Sequence, residues 1–284
     1  MLYYIYDGSY EGLLCTIEQA LAQPEPPYAI SQEFPAIPPL FCEICPINSH
    51  KGKAQRFANF LREKIGRNTP DYLYYANLAD RLEAPFWLYE YVKFGLTVGK
   101  DLNRYLADER VRRIHQLKRE VTGERHRLLG LARFRLLSSG IYYSAITPDH
   151  RVLAIMAPHF AARFTQDRWL LHDTKRGWAA IGMAGDYRLL PLDGNLSIAR
   201  EDDAFMGNLW QQYFAHIAIN ERQNAKAQAN HMPRRYWQNL TEAPGSAITI
   251  QQAHRLTTPS GAAKAFVYPA RQIKSLPEKE KGST

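Results

Sequence analysis

Near residue 130 the hydrophobic period of this chain changes from helical to alternating, and that change limits what the chain can become. From Ser49 to Arg127 apolar residues recur at helical spacing. From Leu131 to Leu190 they alternate, or run in short apolar stretches between turn residues. The first region predicts helices over Ser49–Ile65, with Ser49 as cap and Gly66 as stop, then over Asp71–Arg81, Pro85–Val98 and Ala107–Arg127. The second predicts strands over Leu131–Leu137, Ile141–Thr147, Arg151–Ala157, Arg168–Asp173, Trp178–Met183 and Tyr187–Leu190. Turns this short favour antiparallel neighbours. The expected class is therefore α+β, an antiparallel β-meander of about five or six strands packed with helices.

The start of the chain reads as a strand–helix unit. Leu2–Tyr6 is an aromatic strand that would join the same sheet. Asp7-Gly8-Ser9 is a turn with Ser9 as N-cap, and Tyr10 to about Gln23 is a helix. The proline-rich stretch Pro24–Pro46 reads as an irregular crossing. Near the other end, Glu201–Ala229 is a last long helix, followed by Met232-Pro233-Arg234-Arg235-Tyr236-Trp237, where Trp237 is expected to be buried. Beyond Glu242 the chain reads as a loosely ordered tail. The expected units are residues 1–105, residues 106–242 in one compact body with the first, and the tail 243–284. No apolar run reaches the ~20 residues needed to cross a bilayer, and the N-terminus lacks the basic start and apolar stretch of a signal peptide. Three cysteines argue against a disulfide framework. A soluble cytoplasmic protein is the expectation. Cys42 and Cys45, with His50 beyond, make at most half a zinc site, and Gly95–Lys100 falls one residue short of a phosphate loop, with Asp101 where Ser or Thr belongs. No metal and no cofactor are expected.

The net charge is +8, and it is uneven. Between Arg104 and Arg135 ten Lys and Arg face four Asp and Glu; between Glu221 and Trp237 four face one. Clustered cations interleaved with aromatics favour a polyanionic partner, nucleic acid before membrane. The candidate phosphate contacts are Arg112, Arg113, Lys118, Arg119, Arg125 and Arg127 on the basic helix, Arg133 and Arg135 on one face of the following strand, and Arg234 and Arg235.

A second concentration of chemistry lies in Pro158–Gly177. His159 and Arg163 fall on one side of a helical turn, while His172, Asp173, Lys175 and Arg176 close the next strand and its turn. Arg163, Lys175 and Arg176 could hold an anion. His159, His172 and Asp173 could serve as acid, base and orienter, with Asp7 adding a carboxylate at the mouth of its helix. Each also has a plain structural reading: Asp7 as a turn residue, the Lys-Arg turn as solvated surface. Alternation along a strand sends His172 and Asp173 to opposite faces, so both serve one site only at a sheet edge or bulge.

Several of these segments resemble an uncharacterised bacterial family of DNA metabolism proteins. The likeness rests on Tyr6-Asp7-Gly8-Ser9-Tyr10-Glu11-Gly12-Leu13-Leu14, on Glu124-Arg125-His126-Arg127-Leu128-Leu129-Gly130-Leu131-Ala132-Arg133-Phe134, and on Pro148-Asp149-His150. Pro158-His159-Phe160-Ala161-Ala162-Arg163-Phe164, Trp169-Leu170-Leu171-His172-Asp173 and Met232-Pro233-Arg234-Arg235-Tyr236-Trp237 complete it. It spans roughly residues 1–242. Members of that family occur beside a DNA-repair or DNA-modification radical-SAM protein, or fused to a uracil-DNA glycosylase-like domain. The resemblance thus implies DNA repair or base processing, and no catalytic residues carry over. The Cys-x3-Cys-x2-Cys of a radical-SAM enzyme is missing here, so that chemistry would belong to a partner. Three functions remain open at this point: a DNA-binding accessory protein acting with the radical-SAM partner, a nucleic-acid-processing enzyme using the His/Asp/Arg cluster, or a subunit that docks on the radical-SAM protein.

Overall fold

β1 (Leu2–Tyr6) turns through Asp7-Gly8-Ser9 into α1 (Tyr10–Leu21), whose first turn is held by the Ser9 hydroxyl accepting from Gly12 N–H. The computed structural model describes residues 1–35, 41–137, 139–192 and 229–240. The proline-rich stretch is not a bare crossing. It contains β2 (Ala29–Ser31) and the start of β3 (Glu43–Ile47), and both pair with β1 in parallel, giving a three-stranded sheet in the order β2-β1-β3. Pro46 is tolerated because β3 is an edge strand, where one row of N–H groups has no ladder to serve. The opening strand therefore does not join the later sheet.

Helices follow as their periodicity predicts, with shifted ends. α2 (Lys51–Lys64) is capped by the His50 ring, which accepts from Lys53 N–H, in place of Ser49. α3 (Thr69–Asn77) is shorter than expected, and α4 (Ala84–Val98) starts with Pro85 in its first turn. α5 (Glu109–Leu131) is the longest helix described. Asp108 caps it, accepting from Arg110 N–H, and it buries Val111, Ile114, Leu117, Val121 and Leu128 against α3 and α4. It also consumes the residues expected to open the next strand, so β4 is only Arg135–Leu136.

The largest correction concerns Arg151–Ala157. This run is the start of α6 (Leu153–Arg163), with Pro158 inside it, and not a strand. A helix between β5 (Ile141–Ile146) and β6 (Arg168–Asp173) lets those two strands pair in parallel. β7 (Trp178–Met183) and β8 (Asp186–Pro191) then return antiparallel. The second sheet is five-stranded, ordered β4-β5-β6-β7-β8, and mixed, so the plain antiparallel meander is corrected. The α+β class stands. α6 covers one face of this sheet through β6, β7 and β8. One hydrophobic cluster runs from Tyr4 and Leu13 through α2–α6 to Trp169, Ala180 and Tyr236. Gly182 lies across from Trp169, and any Cβ there would collide with the indole.

Among the described residues no helix is long and apolar enough to cross a membrane, and no group of three or more His, Cys, Asp or Glu is placed to hold a metal. The helix expected over Glu201–Ala229 lies almost wholly outside the described residues, and the tail beyond Glu242 lies entirely outside them.

Candidate nucleic-acid interface

α5 presents three different sides. Its buried side is apolar apart from Glu124, and its flanks lay cations over aromatic rings of neighbouring helices. Arg110 sits 3.8 Å from the Phe94 ring centre, Arg113 is 5.8 Å from that of Trp87, and Lys118 is 3.6 Å from that of Tyr72. Burial lowers the Lys118 ammonium below its ordinary value. Such contacts anchor a cation's position while leaving its remaining donors available.

The third side faces solvent. Arg112, Gln116, Arg119 and His126 are all exposed and recur at the spacing of one helical stripe. Along α5, Arg112, Arg119 and His126 are each separated by about 10 Å. Arg112 meets Glu109 at 3.7 Å, with both side chains more than half exposed, which is a weak pairing in water. His126 and Gln116 were not among the sequence candidates; the exposed i, i+4, i+7 spacing was the signal that could have found them.

Beside this ridge lies an open cleft of about 430 Å³. One wall is the loop Asp80, Arg81, Leu82 and Glu83; the other is Arg113, Gln116, Leu117 and Glu120 of α5, with Trp87 of α4 between them. Leu82 is 92% exposed at the rim. Arg81 pairs loosely with Glu120 at 3.5 Å, and Gln116 donates to Glu120. Among the described residues the buried Arg113 Nε has no hydrogen-bond partner and the Glu83 carboxylate has no ion pair.

The Pro158–Gly177 residues do not form one cluster. Asp173 is fully buried; its carboxylate accepts from the N–H groups of Lys175 and Arg176 and pairs with the Arg176 guanidinium at 3.1 Å. Arg176 is only 12% exposed. It also reaches Asp80 at 2.8 Å and donates to the carbonyls of Pro148 and Asp149. Burial pushes the Asp80 carboxyl up, but Arg176, with Lys175 and Arg151 behind it, pulls it below its usual range. His172 lies on the opposite face of β6, with Nδ1 3.0 Å from the Tyr143 hydroxyl, and burial lowers its pKa. The same burial raises the Tyr143 hydroxyl to about 12. His159 and Arg163 sit on the exposed side of α6, and the His159 ring meets Phe160 edge-on. The exposed Asp7 accepts from Ser9 N–H and Ser9 Oγ, closing the turn before α1.

The remaining cations divide into those held by the protein and those at its surface. Lys175 lies 3.7 Å from Asp80. Arg125 donates to the Ile155 carbonyl, tying α5 to α6, and Arg133 donates to the Gly130 carbonyl. Arg127 is half-buried and Arg135 lies near Tyr143. Arg235 pairs with Asp149 at 2.9 Å, whereas Arg234 is exposed beside Trp237. Trp237 is half-buried, its N–H donating to the Met232 carbonyl; the buried aromatic of this segment is Tyr236. Behind these lies Glu124, at the centre of a buried hydrogen-bond network.

Fold and surface together define a mixed α+β protein with a cationic helix ridge and a cleft along it. Residues 83–242 match the profile of a family described as a domain of unknown function, DUF4130, and the chain belongs to that family. No curated protein and no solved structure matches the chain.

Proposed function

We propose that this is a DNA-binding accessory protein of a DNA repair or base-modification system, working with a radical-SAM partner, and that it holds phosphates along the ridge of α5. The observation that carries this reading is the exposed stripe of Arg112, Arg119 and His126, which among the described residues makes no ion pair shorter than the 3.7 Å Arg112–Glu109 contact. Two surface guanidinium groups two turns apart on a rigid helix, with a histidine further along, suit a backbone of regularly spaced phosphates. Arg234, near the end of the matched family region, adds a further exposed guanidinium. The enzymatic alternative draws less support, because Asp173 is engaged by Arg176 on one face of β6 and His172 by Tyr143 on the other. The DNA-repair setting and the radical-SAM partner rest on the family resemblance.

The test is binding of labelled single-stranded and duplex oligonucleotides to the full chain and to the Arg112→Ala/Arg119→Ala double variant. The double variant should bind roughly ten-fold or more weakly, because each lost phosphate contact removes released counterions. Equal affinity of the two proteins contradicts the proposal. Co-elution of the co-expressed radical-SAM protein supports the partner; separate elution opposes it.

A further inference from the structure

We infer that the cleft between the Asp80–Glu83 loop and α5 takes an unstacked guanine base from a single strand whose phosphates lie on the adjacent ridge. This rests on the nucleic-acid reading above and gives it a substrate. Acids outnumber cations three to two in the cleft, with Asp80, Glu83 and Glu120 against Arg81 and Arg113. That balance disfavours a phosphate inside it and suits a ring that donates hydrogen bonds. Trp87 supplies an aromatic face, and base–aromatic stacking is a common source of single-strand affinity. Leu82 stands at the rim, almost fully exposed, where it can close over the other face of the ring.

The two groups left to read the base are Glu83 and Arg113. Asp80 is already committed to Arg176 and Lys175, and Glu120 to Arg81 and Gln116. Among the described residues neither Glu83 nor Arg113 makes an ion pair; Arg113 Nε is buried, which leaves the terminal guanidinium nitrogens as its donor pair. A carboxylate offers two adjacent acceptors, and an arginine offers two adjacent donors. Guanine alone among the four DNA bases places two neighbouring donors, N1–H and the N2 amino group, on one edge. Its O6 and N7 then form the acceptor pair that arginine reads most often. Gln116 belongs both to the exposed stripe of α5 and to the cleft wall, so a backbone tracking Arg112 and Arg119 passes directly over the cleft mouth.

The experiment compares a labelled dT12 with the same oligomer carrying one central dG, dA or dC, using the full chain and its Glu83→Gln and Trp87→Leu variants. The readout is the ratio of affinities to plain dT12 within each protein. One dG should tighten binding roughly ten-fold, more than dA or dC, and both variants should bring that ratio close to one. Glu83→Gln changes an exposed side chain, so its result stands even if Trp87→Leu disturbs folding. If all four oligomers bind alike and binding weakens with salt, the base site is wrong and the phosphate ridge survives. If a dG preference persists in Glu83→Gln, or dA or dC is preferred, the assignment is also overturned. If no oligomer binds, both readings fall.

Discussion

Glu124 is 1% exposed and accepts three hydrogen bonds, from the N–H groups of Asp149 and His150 and from the Tyr236 hydroxyl at 2.5 Å. Burial, with Glu124 beside it, raises that hydroxyl to about 12. The residue ties α5 to the loop before α6 and to the 3-10 segment Arg234–Asn239. Glu124→Ala would strand all three donors in the core, at a cost of about 3–5 kcal/mol. Urea unfolding measures it, and a loss below about 1 kcal/mol contradicts this role. Nearby, His150 accepts Asp80 N–H on its ring and is held neutral: burial lowers its pKa, although Glu124 and Glu120 pull the other way. His172 is lowered by burial as well. For both, the unfolded chain takes up a proton first as pH falls below about 6.5. Stability from these groups is therefore full above that value and declines towards pH 5, so the unfolding temperature should fall over that range. A temperature that holds steady or rises would refute this. Neither Glu124 nor His150 announced itself in the sequence, because burial of a charged residue within a basic helix leaves no periodic mark of its own.

At the level of elements, what was legible followed from period. β6, β7 and β8 alternate or are bounded by clear turns, and α4 and α5 carry a helical apolar stripe, so each was readable to within a few residues. Arg151–Ala157 was not. An unbroken apolar run has no period with which to tell a buried strand from a buried helix, and Pro158 looked like a stop when it lies within α6. Read as a strand, that run would separate β5 from β6 by two antiparallel pairs, whereas the helix lets them pair directly in parallel. β2 and β3 were hidden because they are short and proline-flanked. In the second sheet Gly182 leaves no space for a Cβ beside Trp169, whose indole is fully buried. Gly182→Ala would force the ring or the β6–β7 pairing to move, costing about 1–3 kcal/mol. A variant as stable as the parent would show that β7 has room to spare.

For the whole molecule, Arg176 joins three loops that are far apart in sequence: the one after α3 through Asp80, the one before α6 through two carbonyls, and the β6–β7 turn through Asp173. The sequence reading placed Arg176 among groups free to hold an anion. The structure turns it inward, because Asp173 is fully buried and requires a counter-charge. Arg176→Ala removes the guanidinium from that buried carboxylate and should cost about 3–5 kcal/mol, read from denaturant midpoints; a near-neutral effect would contradict it. The cations of this chain thus divide by position in the fold, with Arg176, Arg125 and Arg235 holding it together and Arg112, Arg119 and Arg234 left facing water. The decisive measurement is the slope of log affinity against log salt for a single-stranded oligonucleotide, taken on the parent and on the Arg112→Ala/Arg119→Ala variant. With about 0.7 counterions released per phosphate contact, the parent slope should be steep and the variant's shallower by about 1.4. A flat parent slope, or equal slopes for the two proteins, would contradict a phosphate-gripping α5.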